Sequence, residues 1–317
     1  MTRHIPCNLC ESTECKFLFN AKDRLHGFEG NFSYVVCKNC GLVYMNPQVC
    51  PAEIGKFYPP DYAPHKAKAE TKLRERHGVK KKLRKRPFIK PICDKLRQQL
   101  RLLDVGCGNG RFLNEIKTLT GCEVYGVDIS ANAAKAARED YGIDIFTGPI
   151  TESPFSDNFF DVITAWSCLE HVGNPSQVLL KISKILKNDG LCVISTPNFD
   201  SLNARLFKDK WYHLDCPRHL YLYTPKTIVN LLEKTGFVVT EMAYEKSSKG
   251  LLGSLQYYFY GDNFSPKHSD KIRRSSLIKA LISPLTRITW LIRKSDTMIV
   301  LARKRRHYVF NPGKLIV

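Results

Sequence analysis

Apolar runs alternate along this chain with segments whose apolar positions recur every three to four residues. A short apolar run is typical of a buried strand, whereas the longer spacing is typical of a helix with one buried face. From residue 99 onward the two patterns alternate, which predicts parallel strands joined by helices in a doubly wound α/β sheet. The predicted strands are Leu102–Val105, Glu123–Asp128, Phe159–Ala165, Leu191–Thr196, Phe237–Tyr244 and Thr297–Arg303.

Capping residues and chain breakers set the limits of the predicted helices. Ser130 caps a helix that runs through Ala137, and Thr224 followed by Pro225 opens another. Gly236 ends the latter helix. The remaining predicted helices begin at Arg111, extend over Pro175–Leu186 before a turn at Asn188–Gly190, and cover Ile92–Leu100 ahead of the first strand.

The first predicted strand ends in a glycine-rich turn. Asp104 is followed by Gly106, Gly108 and Gly110 at alternate positions, and a helix begins directly afterwards. Glycines let the backbone approach a ligand closely because no Cβ intervenes. The spacing differs from that of the phosphate-binding dinucleotide pattern. With an acid two residues before the first glycine, it suits a ligand that carries an ammonium group, such as S-adenosylmethionine.

This turn resembles the first motif of class I S-adenosylmethionine-dependent methyltransferases, and the following elements match that family in order, including the segment "LKNDGLCVISTPN". The resemblance implies a Rossmann-like seven-stranded mixed sheet and S-adenosylmethionine as cofactor. It also implies that Asp128 holds the two ribose hydroxyls and that Asp104 orients the amino-acid end. The implied cofactor-binding residues are Asp104, Gly106, Gly108, Gly110, Asp128, Ile129 and Trp166. The alternative is another doubly wound nucleotide binder.

Four of the twelve cysteines form two C-x-x-C pairs, Cys7 with Cys10 and Cys37 with Cys40, separated by 26 residues. Without a secretory signal, such cysteines are expected to be thiols or metal ligands rather than disulfides. Two such pairs supply the four thiolates of a structural zinc site. The segment "VVCKNCGLVYMNP" resembles the zinc-ribbon leader of one subgroup of bacterial methyltransferases. The alternative is a set of unconnected buried thiols.

The formal net charge of +19 is concentrated in two segments. Residues 66–101 carry 15 Lys or Arg and three acids, and residues 267–314 carry 13 and two. The second segment contains Ser275–Arg293, whose apolar residues follow helical spacing and which Pro284 should kink or split. Basic segments attract polyanions. An anionic substrate or membrane surface is therefore expected as a partner, with a solvated basic face as the alternative.

These patterns divide the chain into four parts. Residues 1–62 form the zinc-ribbon leader, and residues 63–98 form a basic linker with a lead-in helix. Residues 99–246 and 296–306 form the methyltransferase domain, which residues 247–295 interrupt before the last strand. The chain shows no secretory signal and no run of 18 uncharged apolar residues, so the expected location is the cytoplasm, with peripheral contact at the inner membrane surface.

Acceptor chemistry is expected beyond the carboxyl ends of the strands. Glu170–His171 resembles a pair in ubiquinone-type O-methyltransferases, where an upstream acid completes a divalent-metal site, but that upstream position is Ser167 here. The loop Trp211–Tyr221 and the tyrosines Tyr58 and Tyr62 are further candidates. The predicted catalytic residues are His171, His219 and Glu170, and the predicted substrate-binding residues are Trp211, His213, Arg218 and Tyr58. The alternative is that the Glu–His pair and this loop serve only for packing and hydrogen bonds.

Three functions remain open at this stage. The leading hypothesis is O-methylation of a small molecule, a sugar or a lipid-linked glycan. The second is methylation of RNA bases, although Ala165–Cys168 lacks the Asn/Asp-Pro-Pro-aromatic motif of amino methyltransfer. The third is an inactive methyltransferase-like binding module. The intact Asp104, Gly106, Gly108 and Asp128 argue against this third hypothesis.

Overall fold

The computed structural model describes residues 2–59, 89–95, 100–261 and 275–305. The predicted basic run Lys80–Arg86 and Tyr62 lie outside these residues. In chain order the strands are β1 (Thr2–Arg3), β2 (Cys15–Ala21), β3 (Phe32–Cys37), β4 (Val43–Met45), β5 (Gln48–Val49), β6 (Arg101–Val105), β7 (Glu123–Asp128), β8 (Phe146–Thr147), β9 (Phe160–Trp166), β10 (Leu186–Pro197), β11 (Tyr221–Leu222), β12 (Phe237–Tyr244) and β13 (Thr297–Lys304).

The α-helices, again in chain order, are α1 (Pro51–Ile54), α2 (Ile89–Lys95), α3 (Arg111–Thr120), α4 (Ala131–Tyr141), α5 (Pro175–Ile185), α6 (Leu202–Phe207), α7 (Pro225–Lys234), α8 (Lys249–Tyr260) and α9 (Ser276–Leu291). Short 3₁₀ turns cover Gly55–Phe57, Ile150–Glu152, Lys208–Lys210 and Tyr212–Leu214.

The largest sheet has seven strands in the order β12-β13-β10-β9-β6-β7-β8. Strands β8, β7, β6, β9 and β10 run parallel, while β13 is antiparallel to both β10 and β12. The predicted Rossmann-like mixed sheet is therefore confirmed. Strands β7 and β8 lie on one side of β6, and the strands that follow them in the chain lie on its other side. Ligands of open α/β sheets bind at such a switch point, outside the carboxyl ends of the strands.

Both faces of this sheet are buried. Successive strand residues point to opposite sides, so neighbouring residues in a strand belong to different faces. Leu102, Val162 and Val193 belong to one apolar cluster, and the neighbouring Leu103 and Ile163 belong to the other. All five side chains are completely buried. Burial on both faces explains why these strands appear in the sequence as continuous apolar runs.

The leader forms a second sheet that includes a strand from the far end of the chain. Its order is β11-β4-β3-β2, and the antiparallel register joins Tyr221 to Tyr44 and Leu222 to Val43. The buried residues of the leader and of the methyltransferase sheet also belong to one continuous core. The sequence places residues 1–62 in a separate part, but in the structure the leader shares strand and core with the catalytic region.

Two predicted element boundaries differ in the structure. The turn expected at Asn188–Gly190 lies inside β10, where the pairing with β9 shifts register between Leu186 and Leu191. Residues 187–190 have no register partner in β9 or β13, so the segment expected to turn forms a bulge between two paired parts of the strand. The lead-in helix begins at Ile89 instead of Ile92, and residues 96–99 of its predicted end lie outside the described residues.

The long interruption before β13 contains α8 and α9. Pro284 was expected to kink or split the second helix, yet α9 continues through it. Proline removes one intrahelical hydrogen bond, to the carbonyl four residues earlier. That carbonyl belongs to Ala280, an exposed residue of the helix. Among the helices that the structure describes, none is long and apolar enough to cross a membrane.

Candidate functional site

The glycine-rich turn lies at the carboxyl end of β6. Gly106, Gly108 and Gly110 have φ angles of +71°, +52° and +70°, a region that favours glycine. At Gly106 a Cβ atom would also lie 2.9 Å from the Sγ atom of Cys168. Both the backbone angle and the close contact therefore require glycine here, and they keep the backbone open toward the edge of the sheet.

Asp104 lies almost completely buried on β6, one strand from Thr164 on β9. The Thr164 hydroxyl donates a 2.6 Å hydrogen bond to Oδ1 of Asp104. Burial, together with the nearby Asp128 carboxylate, raises the pKa of Asp104 to about 8. The carboxyl group is therefore mostly neutral at pH 7, and a cationic ligand beside it would favour its ionised form.

Asp128 ends β7 next to the same turn. Its Oδ2 atom accepts a 2.8 Å hydrogen bond from the Gly108 N–H, and its Oδ1 atom accepts one of 2.9 Å from the Ser130 N–H. These two bonds fix the orientation of the Asp128 carboxylate. Each carboxylate oxygen has a second acceptor site, which two vicinal hydroxyl groups can use.

Apolar side chains flank the acids at this edge. Ile129, directly after Asp128, is 70% exposed. The Trp166 ring at the end of β9 packs edge-to-face against Phe112 on α3, with ring centroids 5.2 Å apart. Phe112 was not predicted as a site residue. An exposed apolar side chain beside a fixed carboxylate suits a flat base attached to a ribose.

His171 lies in the segment after β9, within one turn of Cys168, which contacts Gly106. Its Nδ1 atom is 3.0 Å from Tyr58 Oη and 3.1 Å from the Arg218 carbonyl oxygen. Because a carbonyl only accepts hydrogen bonds, Nδ1 carries the proton in this arrangement and Nε2 is the basic nitrogen. Burial and the neighbouring His219 lower the pKa of His171 to about 3, so the ring is neutral.

His219 packs against His171 with ring centroids 4.5 Å apart. Its Nδ1 atom donates to the His213 carbonyl at 2.9 Å, while Nε2 lies 3.8 Å from an Asp215 oxygen. Burial lowers the pKa of His219 to about 4 despite the Asp215 charge. His219 is 6% exposed whereas His171 is half-buried, so His171 is the more accessible of the two.

Glu170 is completely buried behind the histidines. Burial raises its pKa to about 8, although hydrogen bonds from Thr196 and Ser167 oppose the shift. The Thr196 hydroxyl donates to Oε2 at 2.9 Å. One carboxylate oxygen of Glu170 and one ring nitrogen each of His171 and His219 lie within 4.8 Å of one another.

Arg218, expected to bind substrate, is instead completely buried between the leader and the loop before β11. It donates two 2.8 Å hydrogen bonds to the two oxygens of Asp23 and one of 2.8 Å to Asp215. It also donates to the Phe57 carbonyl at 2.9 Å. These partners outweigh burial and raise the pKa of Arg218 above its ordinary value. Two carboxylates and a carbonyl thus hold Arg218 away from solvent.

Trp211 and His213, also expected to bind substrate, pack inside the loop that carries them. Trp211 is 1% exposed, and its Nε1 atom donates a 2.8 Å hydrogen bond to Asp296. Asp296 also accepts from Ser201 and Asn203. His213 is half-buried, and burial lowers its pKa. This loop is therefore fastened to the start of β13 through Asp296.

The four predicted metal ligands converge in the leader. The Sγ atoms of Cys7 and Cys40 are 3.4 Å apart, those of Cys10 and Cys37 are 3.5 Å apart, and all four lie within 4.8 Å of one another. These distances exceed the roughly 2 Å of a disulfide. They match the spacing of four thiolates at about 2.3 Å from one tetrahedral zinc ion.

Sequence reasoning missed several residues that shape this site, above all Thr164, Asp23 and Asp296. Thr164 lies in the middle of an apolar strand, and only the sheet register places it beside Asp104. Asp23 and Arg218 are 195 residues apart in the chain. No local spacing connects such pairs, so the sequence offered no signal for them.

The sheet order, the glycine turn and the acid ending β7 define a class I S-adenosylmethionine-dependent methyltransferase fold. A family model described as a methyltransferase domain matches residues 74–242. The chain therefore belongs to the methyltransferase-domain family.

Two curated relatives are ubiquinone biosynthesis O-methyltransferases. The protein from Glaesserella parasuis is 37% identical over 108 residues, which cover 31% of this chain and 45% of the relative. The protein from a Ruegeria species is 28% identical over 167 residues, which cover 47% of this chain and 67% of the relative. The matched part of the chain thus spans about half the length of the first of these relatives.

A solved structure supports the fold assignment. The crystal structure of a Galdieria sulphuraria protein, provisionally assigned as a sarcosine dimethylglycine methyltransferase, aligns with a TM-score of 0.51 at 18% identity. The alignment covers 72% of this chain and 86% of that protein. This similarity concerns the fold.

Proposed function

We propose that the protein transfers the methyl group of S-adenosylmethionine to a hydroxyl oxygen of a small-molecule acceptor. The observation that carries this proposal is the position of His171, with Nδ1 held by the Arg218 carbonyl and Nε2 left as the basic nitrogen, at the same sheet edge as the glycine turn and Asp128. The similarity to two O-methyltransferases supports oxygen as the atom that receives the methyl group.

The proposed cofactor site uses the residues predicted from the sequence. Asp128 would hold the ribose hydroxyls, Ile129 would contact the base, and the glycine turn would leave room for the amino-acid end. Asp104 lies behind this turn, where its ionised form would balance a cationic ligand. When bound, S-adenosylmethionine supplies an activated methyl group, so the protein needs only to position the acceptor and take up one proton.

His171 is proposed to take up that proton on Nε2. Its Nδ1–H is held by the Arg218 carbonyl, and Tyr58 Oη lies beside it, so the tautomer and the ring orientation are fixed. His219 supports the ring from the side. Glu170 is buried and mostly neutral at pH 7, so its proposed role is to position the segment that carries His171.

Arg218 and Trp211 are proposed to position the site from behind, because both are buried and occupied by carboxylate partners. Tyr58 and His213 remain candidates for direct contact with an acceptor. The narrower hypotheses of a sugar or a lipid-linked glycan share the same hydroxyl chemistry, and among the described residues none favours them over another hydroxylated molecule.

Zinc is proposed to occupy the four-cysteine cluster of the leader. The thiol geometry fits a closed tetrahedral site, which leaves no position for substrate. Its role would be to hold together the turns at Cys7–Cys10 and Cys37–Cys40, and through the second turn the strand β4, which pairs with β11.

The test supplies the purified protein with S-adenosylmethionine labelled in its methyl group and a fractionated cell extract. We expect the label on a hydroxylated small molecule, identified by mass spectrometry, with His171→Ala reducing the rate and leaving cofactor affinity unchanged. Asp144→Ala, at an exposed surface carboxylate, is the matched control.

Three results would contradict the proposal. Label confined to the RNA fraction would indicate the base methyltransferase, and failure to bind S-adenosylmethionine would indicate a binding module. Activity that requires added Mg²⁺ and disappears in Glu170→Gln would indicate a divalent cation on Glu170, His171 and His219 instead of a histidine base.

A further inference from the structure

Helix α9 presents most of its leucine and isoleucine side chains to solvent. Leu277 and Leu281 are 69% and 72% exposed. Further apolar side chains continue the same surface at spacings of three and four residues, and they are Leu285, Ile288, Leu291 and Ile292. We call these six residues the apolar face of α9.

The side of α9 that packs on the protein contains the half-buried Ile282 and two threonines. Its two buried residues are Thr286 and Thr289. Their hydroxyls donate to the carbonyls of Ser283 and Thr286 at 2.9 and 3.0 Å. A surface helix normally buries its apolar side. In α9 most of the apolar side chains are exposed instead, which indicates that the exposed side has its own apolar partner.

The helix is fastened at its end to the catalytic edge of the large sheet. Trp290 Nε1 donates a 3.0 Å hydrogen bond to the carbonyl of Tyr244, the last residue of β12. Lys294 forms an ion pair with Asp200, which follows the carboxyl end of β10. The register pairs Thr297 with Pro197. The apolar face is thus held at the edge where Asp128 and Trp166 also lie.

The charge of α9 and its neighbourhood in the sequence is positive. Helix α9 contains no acidic residue, and it carries the exposed Lys279 and Arg287, with Arg293 two residues after its end. Residues 267–314 carry 13 basic and two acidic residues. A second copy of the chain would oppose like charges across the contact. A nucleic acid would leave the apolar face in water.

We propose that α9 docks on an anionic lipid bilayer, with its apolar face among the acyl chains and Lys279 and Arg287 at the headgroups. A helix that combines an apolar side with basic residues lies in the plane of the membrane–water interface. Its affinity for the membrane depends on the apolar area it buries and on the attraction of its basic residues to anionic lipids. Docking in this position turns the catalytic edge of the sheet toward the bilayer, where a membrane-dissolved acceptor would approach.

Vesicle flotation tests this proposal with matched leucine variants. We expect the full-length protein to float with vesicles of phosphatidylcholine and phosphatidylglycerol in equal parts, but not with phosphatidylcholine alone. Leu281→Asp and Ile288→Asp should each lower binding by about tenfold or more, because each places a charge among acyl chains. Leu180→Asp, at an exposed leucine of α5, adds the same charge elsewhere and should bind nearly as wild type does.

The basic residues provide an independent measurement. Lys279→Ala and Arg287→Ala should each weaken binding to the anionic vesicles by about fivefold. Unchanged thermal unfolding and cofactor affinity would show that all these variants are folded. Equal binding by Leu281→Asp and Leu180→Asp would overturn the proposal. So would light scattering that shows a dimer broken by Leu281→Asp, or a loss of RNA binding in this variant without any loss of vesicle binding.

Discussion

Tyr58 Oη lies 3.0 Å from Nδ1 of His171, so the leader reaches into the segment that follows β9. This contact crosses 113 residues of sequence. The leader therefore contributes a side chain to the proposed catalytic center as well as packing against it.

Replacing His171 tests the proposed base. We expect His171→Ala to lower kcat by about 10² to 10⁴, the usual contribution of a general base, and to leave S-adenosylmethionine affinity unchanged. Tyr58→Phe removes only the neighbouring oxygen and should lower kcat by about tenfold or less. Steady-state kinetics and calorimetry measure both quantities. A His171→Ala enzyme with wild-type kcat would assign the base elsewhere, with His219 as the next residue to replace.

Replacing Asp128 tests the cofactor site. We expect Asp128→Ala to weaken S-adenosylmethionine binding by about 2 to 3 kcal/mol, the range for charge-assisted hydrogen bonds. Loss of the Gly108 N–H bond adds to the effect by loosening the turn. Calorimetry of the variant beside Asp144→Ala measures the difference. Near-native affinity in Asp128→Ala would require a different binding mode.

The proposed zinc site predicts a metal content of about one zinc per chain. Cys7→Ser should release the metal and lower the stability of the leader, because structural zinc binding contributes directly to folding. Cys50→Ser, at a cysteine outside the cluster, is the control and should keep the metal. Elemental analysis decides the question, and a Cys7→Ser/Cys37→Ser protein that retains zinc would exclude this cluster as the site.

The buried ion pair between Asp23 and Arg218 predicts a large stability change. Both side chains are completely buried, so Asp23→Ala leaves a buried guanidinium with one carboxylate partner fewer. We expect unfolding free energy to fall by about 3 to 5 kcal/mol. Glu14→Ala, which breaks the exposed pair with Lys38, should cost about 1 kcal/mol or less. Denaturant titration compares the two variants. Equal losses of unfolding free energy would contradict the interpretation that the buried Arg218–Asp23 ion pair stabilises the fold.

The raised pKa of Asp104 predicts a pH-dependent stability of the cofactor-free protein. Between the ordinary value of 3.8 and the folded value of about 8, the folded state keeps a proton that the unfolded state has lost. Stability from this group therefore falls as pH rises through that window, by up to about 1.4 kcal/mol per pH unit. Asp104→Asn should remove this part of the dependence, which thermal unfolding from pH 5 to 8 measures. Parallel curves for the two proteins would show that Asp104 is ionised throughout.

The sequence predicted six of the seven strands of the sheet because each of them carries a local signal, and it missed β8, which has only two residues. The apolar run at Leu102–Val105 and the capping residues Ser130 and Thr224 gave elements that the structure confirms. The glycine turn and its flanking acids could also be recognised in the sequence, because they lie directly at the ends of predicted strands.

The rest of the site depends on contacts between distant parts of the chain. Arg218 was expected to contact the acceptor because it lies in a loop rich in histidine and aromatic residues, yet its guanidinium is buried in an ion pair with Asp23. The Trp211 ring is likewise buried, with a hydrogen bond to Asp296. Nothing in the composition of a loop shows which of its side chains a remote carboxylate will bind, so sequence alone could not separate supporting residues from exposed ones.

Strand β11 has a consequence for the order in which the protein assembles on the ribosome. Residues Val43 and Tyr44 are made early, but Tyr221 and Leu222, with which they pair, emerge only after most of the large sheet has been synthesised. Until then the outer edge of β4 remains unpaired, and an open strand edge is a template for association with other chains. During translation there is therefore a stage at which β4 has been made but its partner strand β11 has not.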